Sequence, residues 1–135
     1  MDKQADAIII GAGILGAAIA FELAKKGYKS LTIEKHPASG YGSTSNTCAV
    51  IRTHYSTLEG TAMSYEGYLY WKDWKNYLGF EDERGLIRFN ETGLLVIKDM
   101  SFDVKKKYLD HHDALGIPYE VISAMRLSNG GCEEK

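Results

Sequence analysis

Two hydrophobic patterns take turns along this chain, and each predicts a different element. Ala7, Ile8, Ile9 and Ile10 form an unbroken apolar run rich in β-branched residues. Such a run predicts a short strand buried on both faces of a parallel sheet. Ile14, Leu15, Ala18, Ile19, Phe21, Leu23 and Ala24 follow at helical spacing, and Gly27 is placed to end that helix. Residues 30–33 predict a second strand, closed by Glu34. Strand, helix and strand make one βαβ unit of about thirty residues. Between its first strand and its helix stand Gly11, Gly13 and Gly16, in the spacing GxGxxG.

Further along, residues 57–78 predict a long helix. Met63, Gly67, Tyr70, Trp74, Tyr77 and Leu78 recur at helical spacing as a packing stripe, with Lys72, Asp73, Lys75 and Asn76 between them. Residues 86–90 and 92–98 predict two strands, with Glu91 and Thr92 at the turn. Phe102, Lys105, Leu109, His112 and Leu115 predict another helix, stopped by Gly116 and followed by Pro118, and residues 119–122 predict a further strand. Lys105, Lys106 and Lys107 read as a solvated helix face.

Composition narrows the function classes. A chain of 135 residues suffices for one ordinary domain and not for two full ones. Hydrophobic residues at 44% and charged residues at 25% exclude wholesale disorder and fibrous proteins. Sixteen basic against eighteen acidic residues give a net charge of -2 and no general pull toward nucleic acid or an anionic membrane. The aromatic stripe therefore reads as packing and not as a stacking platform for single strands. Fourteen Gly against two Pro point to tight turns or close backbone contact with a ligand. Cys48 and Cys132 have neither a disulfide framework nor metal-type spacing, which favours a reducing compartment and a cytoplasmic location. The uncharged stretch 7–21, with Lys3 before it and Ala18-Ile19-Ala20 inside it, mimics a secretory signal. It is shorter than the roughly 18–20 residues of a bilayer span. Asp2 and Asp6 spoil the basic flank, so the nucleotide-unit reading takes precedence.

Each position of that unit has a physical job. Gly11 permits the tight turn from strand to helix, Gly13 lets the backbone approach a pyrophosphate, and Gly16 lets helix and strands pack closely. The helix N-terminus offers unpaired N–H groups and partial positive charge to a diphosphate. Glu34, eighteen residues after Gly16, can accept hydrogen bonds from ribose hydroxyls. Its charge would repel a 2′-phosphate, which disfavours NADP and leaves FAD and NAD open. The loop that follows, KHPASGYGSTSNTCAVIR, carries Gly40, Gly42, Ser43, Thr44, Ser45 and Asn46 and ends in a strand-like stretch at Arg52. Small residues and hydroxyls of this kind can press backbone against a ligand.

Taken together, GAGILGAA, IEK, GYGSTSNTCAVIR and TGLLVI resemble the FAD-dependent amine and amino-acid oxidoreductases of the D-amino-acid oxidase superfamily, which includes glycine and sarcosine oxidases and dimethylglycine-dehydrogenase-like proteins. The resemblance covers roughly residues 5–127. It implies an α/β fold: a Rossmann-like βαβ FAD-binding unit within residues 1–56, then the incomplete start of a mixed α+β substrate domain over 57–135. It implies FAD as cofactor, held by Gly11, Ala12, Gly13, Ile14, Leu15 and Gly16, with Glu34 and Lys35 at the ribose. Gly42, Ser43, Thr44 and Ser45 would wrap the ribityl and pyrophosphate region, and the stretch from Thr47 to Arg52 would run beside the flavin ring. Arg52 would anchor the substrate carboxylate, as guanidinium geometry suits.

The implied reaction is oxidation of a C–N bond in a small amine or amino acid, with hydride passing to FAD and an imine left to hydrolyse. The family's proteins run to several hundred residues. The chain is accordingly expected to be an N-terminal fragment, needing the remaining C-terminal portion of the same enzyme and weakly stable alone. A departure supports this: residues 122–126 carry Met125 and Arg126 where the family tends to place an acidic residue, and the polar tail 129–135 completes no core. Cys48 and His54 match no transferable motif for covalent flavin and read as a small buried cysteine and a polar loop histidine. His111-His112-Asp113 is not expected to bind metal, because adjacent helical side chains diverge by about 100°. Two alternatives remain at this stage, a fragment of an NAD-dependent dehydrogenase and a non-catalytic nucleotide-binding module.

Overall fold

The computed structural model describes residues 4–97 and 102–122. Outside them fall Lys98, at the end of the second of the two expected strands, residues 123–126, Cys132 and the tail 129–135. The chain divides between Val50 and Ile51 into two units.

The first unit opens with β1 (Ala7–Ile10), α1 (Ile14–Lys25) and β2 (Ser30–Ile33). β1 and β2 pair in parallel, Ala7 opposite Ser30 and Ile10 opposite Ile33. Asp6 fixes the entry to this pairing, since its carboxylate accepts the Lys29 N–H at 2.7 Å. The Gly11 N–H donates to Ile33 O at 2.8 Å and closes the far end. α1 stops as its sequence demands. Gly27 turns left-handed at φ 83°. Its N–H then reaches Ala24 O at 2.9 Å, and the Tyr28 N–H reaches Leu23 O at 3.0 Å. This paired arrangement satisfies carbonyls that the helix end would otherwise orphan.

The uncharged stretch 7–21 is thus divided among a strand, a glycine turn and most of a helix. No helix among the described residues is long and apolar enough to cross a membrane. Burial in this unit centres on Ile9, at 8% exposure. Ile8 and Ile10, on the opposite face from Ile9, stay open at 64% and 89%, so one face of β1 is left uncovered by the described residues where a parallel strand ordinarily has both covered.

In the second unit, α2 (Leu58–Lys72) and α3 (Trp74–Leu78) replace the single long helix expected over 57–78. The break is at Asp73, whose φ and ψ of -109° and 42° leave the helical range although its N–H still reaches Leu69 O. Thr57 caps α2 by accepting the Gly60 N–H at 3.1 Å. The expected packing stripe is only partly realised: Met63 and Tyr70 are exposed, and the aromatics pair among themselves. Trp71 stacks on Trp74 at 4.5 Å, and Tyr70 meets Tyr77 at 4.9 Å. The buried position on α2 is Thr61, whose hydroxyl donates back to Thr57 O at 2.9 Å.

The strands expected over 86–90, 92–98 and 119–122, and the strand-like end of the loop at Arg52, are not strands in the described residues. A ladder needs a partner, and a lone hairpin is marginal without a third strand or a packed face. Side chains instead tie this stretch to α2: Glu91 accepts hydrogen bonds from the Tyr68 hydroxyl and from Lys72 Nζ, the latter at 3.1 Å. α4 (Phe102–Leu115) ends where the sequence places its stop. Gly116 turns left-handed at φ 65°, and the Ile117 N–H bonds His112 O at 2.9 Å. Ile117 and His112 are both buried there.

Candidate functional site

The glycine turn between β1 and α1 is shaped by what a side chain would strike. A Cβ on Gly16 would stand 1.9 Å from Gly11 O, so only glycine lets the helix lie this close to the turn. Gly11 itself sits at φ 103°, a conformation that side-chain-bearing residues rarely adopt. Gly13 caps α1 in an extended conformation and has no side chain to satisfy the helix. Thr44, thirty residues away, does so instead: the Ile14 N–H donates to Thr44 Oγ1 at 2.9 Å. The next two N–H groups of the first turn, on Leu15 and Gly16, find no acceptor among the described residues. Two free donors at the positive end of a helix dipole form an anion-accepting surface.

Glu34 reaches back under this turn. Its Oε2 accepts the Ala12 N–H at 2.7 Å and its Oε1 accepts the His36 N–H at 2.9 Å. These two bonds, that from Ala12 foremost, hold the carboxyl below its ordinary value of 4.5. A depressed carboxyl contributes stability that is present above the unfolded value and lost as pH falls through the folded one. The glycine turn is therefore expected to loosen as pH drops below 4.5, and Glu34→Gln is expected to flatten this acid limb in thermal unfolding followed against pH.

The second loop closes on the same place. The Gly40 N–H donates to Ala12 O at 2.9 Å. Residues Ser43–Asn46 form a single 3₁₀ turn, in which Ser45 Oγ and Asn46 Nδ2 both donate to Gly42 O. Thr44 is the half-buried member of this turn, while Lys35, Gly42, Ser43 and Ser45 are exposed. Thr47 accepts the Ala49 N–H at 3.1 Å, beside Ala49 at φ 53°. Cys48 is exposed and not the buried small residue expected, because no apolar layer covers the described part of this loop. Replacing Thr44 with Val should remove the cap on Ile14 and cost about 1 kcal/mol, read as a lower midpoint in urea unfolding.

Arg52 and His54 belong to the second unit. There the Arg52 guanidinium lies over the Tyr55 ring at 4.9 Å. The His54 ring stacks on Tyr108 at 4.4 Å and meets His112 edge-on at 5.5 Å, so this loop histidine is packed among aromatic rings.

The sequence gathered Gly11, Gly13, Gly16, Glu34 and Thr44 by motif and resemblance, and the structure brings these five together. It adds contacts that no pattern revealed, those made by the N–H groups of Ala12, Ile14 and Gly40. No side chain marks such groups, and their partners lie 22 to 30 residues away.

Known proteins resemble this chain in sequence and in structure. The sequence model described as "FAD dependent oxidoreductase" matches residues 6–130. L-proline dehydrogenase from P. horikoshii is similar in structure with a TM-score of 0.75 at 26% identity, over 96% of this chain and 33% of that one. The mitochondrial pyruvate dehydrogenase phosphatase regulatory subunit of Mus musculus is 25% identical over 133 residues, 95% of this chain and 14% of that protein. The chain thus spans a third or less of the proteins it matches.

Proposed function

The chain belongs to the family of FAD dependent oxidoreductases, and on that premise we propose that it is the cofactor-cradling N-terminal part of an enzyme oxidising the C–N bond of a small amine or amino acid. The family's dependence on FAD decides between the flavin and nicotinamide readings in favour of FAD. The observation that carries the proposal is the free donor pair on Leu15 and Gly16, at a turn where Gly16 leaves no room for a side chain and Gly11 takes a left-handed conformation. A diphosphate fits that cradle. Leu15 and Gly16 offer it N–H groups from the turn that Gly11, Ala12, Gly13 and Ile14 shape, and Gly42, Ser43, Thr44 and Ser45 wrap it from the second loop, with Thr47 beside the flavin ring. Glu34 keeps lone pairs beyond those given to Ala12 and His36, and with Lys35 these serve the ribose. Bound FAD supplies a two-electron acceptor for the hydride leaving the carbon beside nitrogen.

The protein's own part is orientation and charge complementarity. Arg52 anchors the substrate carboxylate, since no acidic group pairs with it among the described residues. The name of the P. horikoshii relative supports an amino acid with a secondary amine as the substrate class. Residues 1–56 form the start of the FAD domain and 57–135 the start of the substrate domain, in a cytoplasmic enzyme completed by further sequence.

A second reading has one observation behind it: the mouse relative is named as a regulatory subunit. Anaerobic addition of proline, sarcosine or glycine to the FAD-loaded full-length protein separates the two. The catalytic reading expects the flavin absorbance to bleach, and Arg52→Lys to raise KM about tenfold or more while kcat changes little. Stable flavin that none of the three amino acids bleaches favours the regulatory reading.

A further inference from the structure

Where α2 gives way to α3, the second unit holds a hollow of about 360 Å³ lined by Leu69, Tyr70, Asp73, Asn76 and Tyr77. The Tyr70 and Tyr77 rings stand 4.9 Å apart with their planes at 51° to each other. Trp74 meets Tyr77 at 5.5 Å and stacks on Trp71 at 4.5 Å, so the aromatic wall continues into two further rings. The Tyr70 hydroxyl donates to Glu66 Oε1 at 3.3 Å. The charged member of the lining is Asp73, whose Oδ1 accepts the Asn76 side-chain N–H at 2.7 Å. Asp73 makes no ion pair among the described residues, and the neighbouring lysines are engaged elsewhere, Lys72 with Glu91 at 3.1 Å and Lys75 with Glu81 at 3.9 Å. The hollow thus combines aromatic walls, whose ring quadrupoles attract cations, with a carboxylate and no basic residue in its lining.

We propose that this hollow binds a small alkylammonium ion. Asp73 meets the charge of the ion, and Leu69 with the two tyrosine rings meets its alkyl groups. Cation–π attraction extends to about 6 Å from a ring centroid. The two centroids lie closer together than that, so one cation in the hollow they share can engage both rings. A neutral apolar ligand gains the wall contacts alone, and an alkali cation brings no apolar surface to the walls. The ligand class is therefore one that carries both characters. The inference stands apart from the oxidation reading, because it uses neither the glycine turn nor Arg52, and its failure would leave that reading as it is.

The test is an NMR titration of this chain with tetramethylammonium chloride, tert-butanol and potassium chloride, with sodium chloride holding the ionic strength constant. It follows the ring signals of Tyr70 and Tyr77 and the side-chain amide of Asn76. The proposal expects tetramethylammonium to move these signals together along one saturable curve. It expects tert-butanol, of nearly the same shape but uncharged, to bind about fivefold more weakly or worse, and potassium to move none of them. Asp73→Asn keeps an acceptor for Asn76 and should weaken tetramethylammonium about threefold to tenfold. Tyr70→Phe should behave as the parent, because the aromatic ring is kept, whereas Tyr70→Leu should weaken binding about threefold to fivefold. Tyr70 is 47% exposed, so neither change empties a core position. Equal affinity for tetramethylammonium and tert-butanol overturns the proposal and marks the hollow as an apolar packing surface. Unchanged binding in Asp73→Asn, or shifts that rise without saturating, overturn it as well.

Discussion

Replacing Gly16 with Ala is expected to cost the first unit about 3 kcal/mol and to abolish retention of FAD. The added methyl would stand 1.9 Å from Gly11 O, 3.1 Å from Gly11 C and 3.4 Å from Ile9 Cγ2. The first two are backbone atoms, so no rotamer change can relieve the overlap. α1 must instead move away from the turn, which takes the Leu15 and Gly16 N–H groups out of register with the loop that Thr44 closes. Gly67 supplies the control, because it lies inside α2 and a Cβ there would meet nothing within 4 Å. Gly67→Ala is expected to stabilise the chain by about 1 kcal/mol, the ordinary difference in helix propensity. Urea unfolding measures both, and flavin co-purification measures the cofactor. A Gly16→Ala protein as stable as its parent would show that the close approach of helix and turn does no structural work.

Glu34→Ala is expected to lower FAD affinity by about tenfold to a hundredfold, since it removes two supports together. One is the acceptor for ribose hydroxyls. The other is the brace on the glycine turn, where the Ala12 N–H donates to Glu34 Oε2 at 2.7 Å. Glu34→Gln distinguishes them: an amide oxygen can still accept the Ala12 N–H but carries no charge and has fewer lone pairs to offer. An intermediate affinity for the Gln variant is expected in fluorescence titration with FAD. Equal affinity in parent, Gln and Ala proteins would remove Glu34 from the site.

How much of this was legible in sequence depended on how local each cause is. β1, β2 and the ends of α1 and α4 could be read because each rests on adjacent residues: an apolar β-branched run, or a glycine positioned for a left-handed turn. The split between α2 and α3 could not, because Asp73 is an acceptable helix residue and leaves helical geometry only in its tertiary setting. Residues 86–90 and 92–98 carried strand patterns, yet pairing is a property of two segments, and the described residues of these two form no ladder with each other. In the site, the glycines announced themselves. The cap that Thr44 places on Ile14 joins residues thirty positions apart, and resemblance drew attention to Thr44 without indicating that contact.

The central claim is that the backbone at the start of α1 receives a diphosphate. Its most direct test is an amide NMR titration of the chain with FAD, with riboflavin as the comparison lacking the diphosphate. FAD is expected to shift the N–H signals of Gly13, Leu15 and Gly16 together with those of Thr44 and Glu34, and riboflavin to leave them in place. FAD that binds without moving the Leu15 and Gly16 amides, or riboflavin that moves them equally, would contradict it.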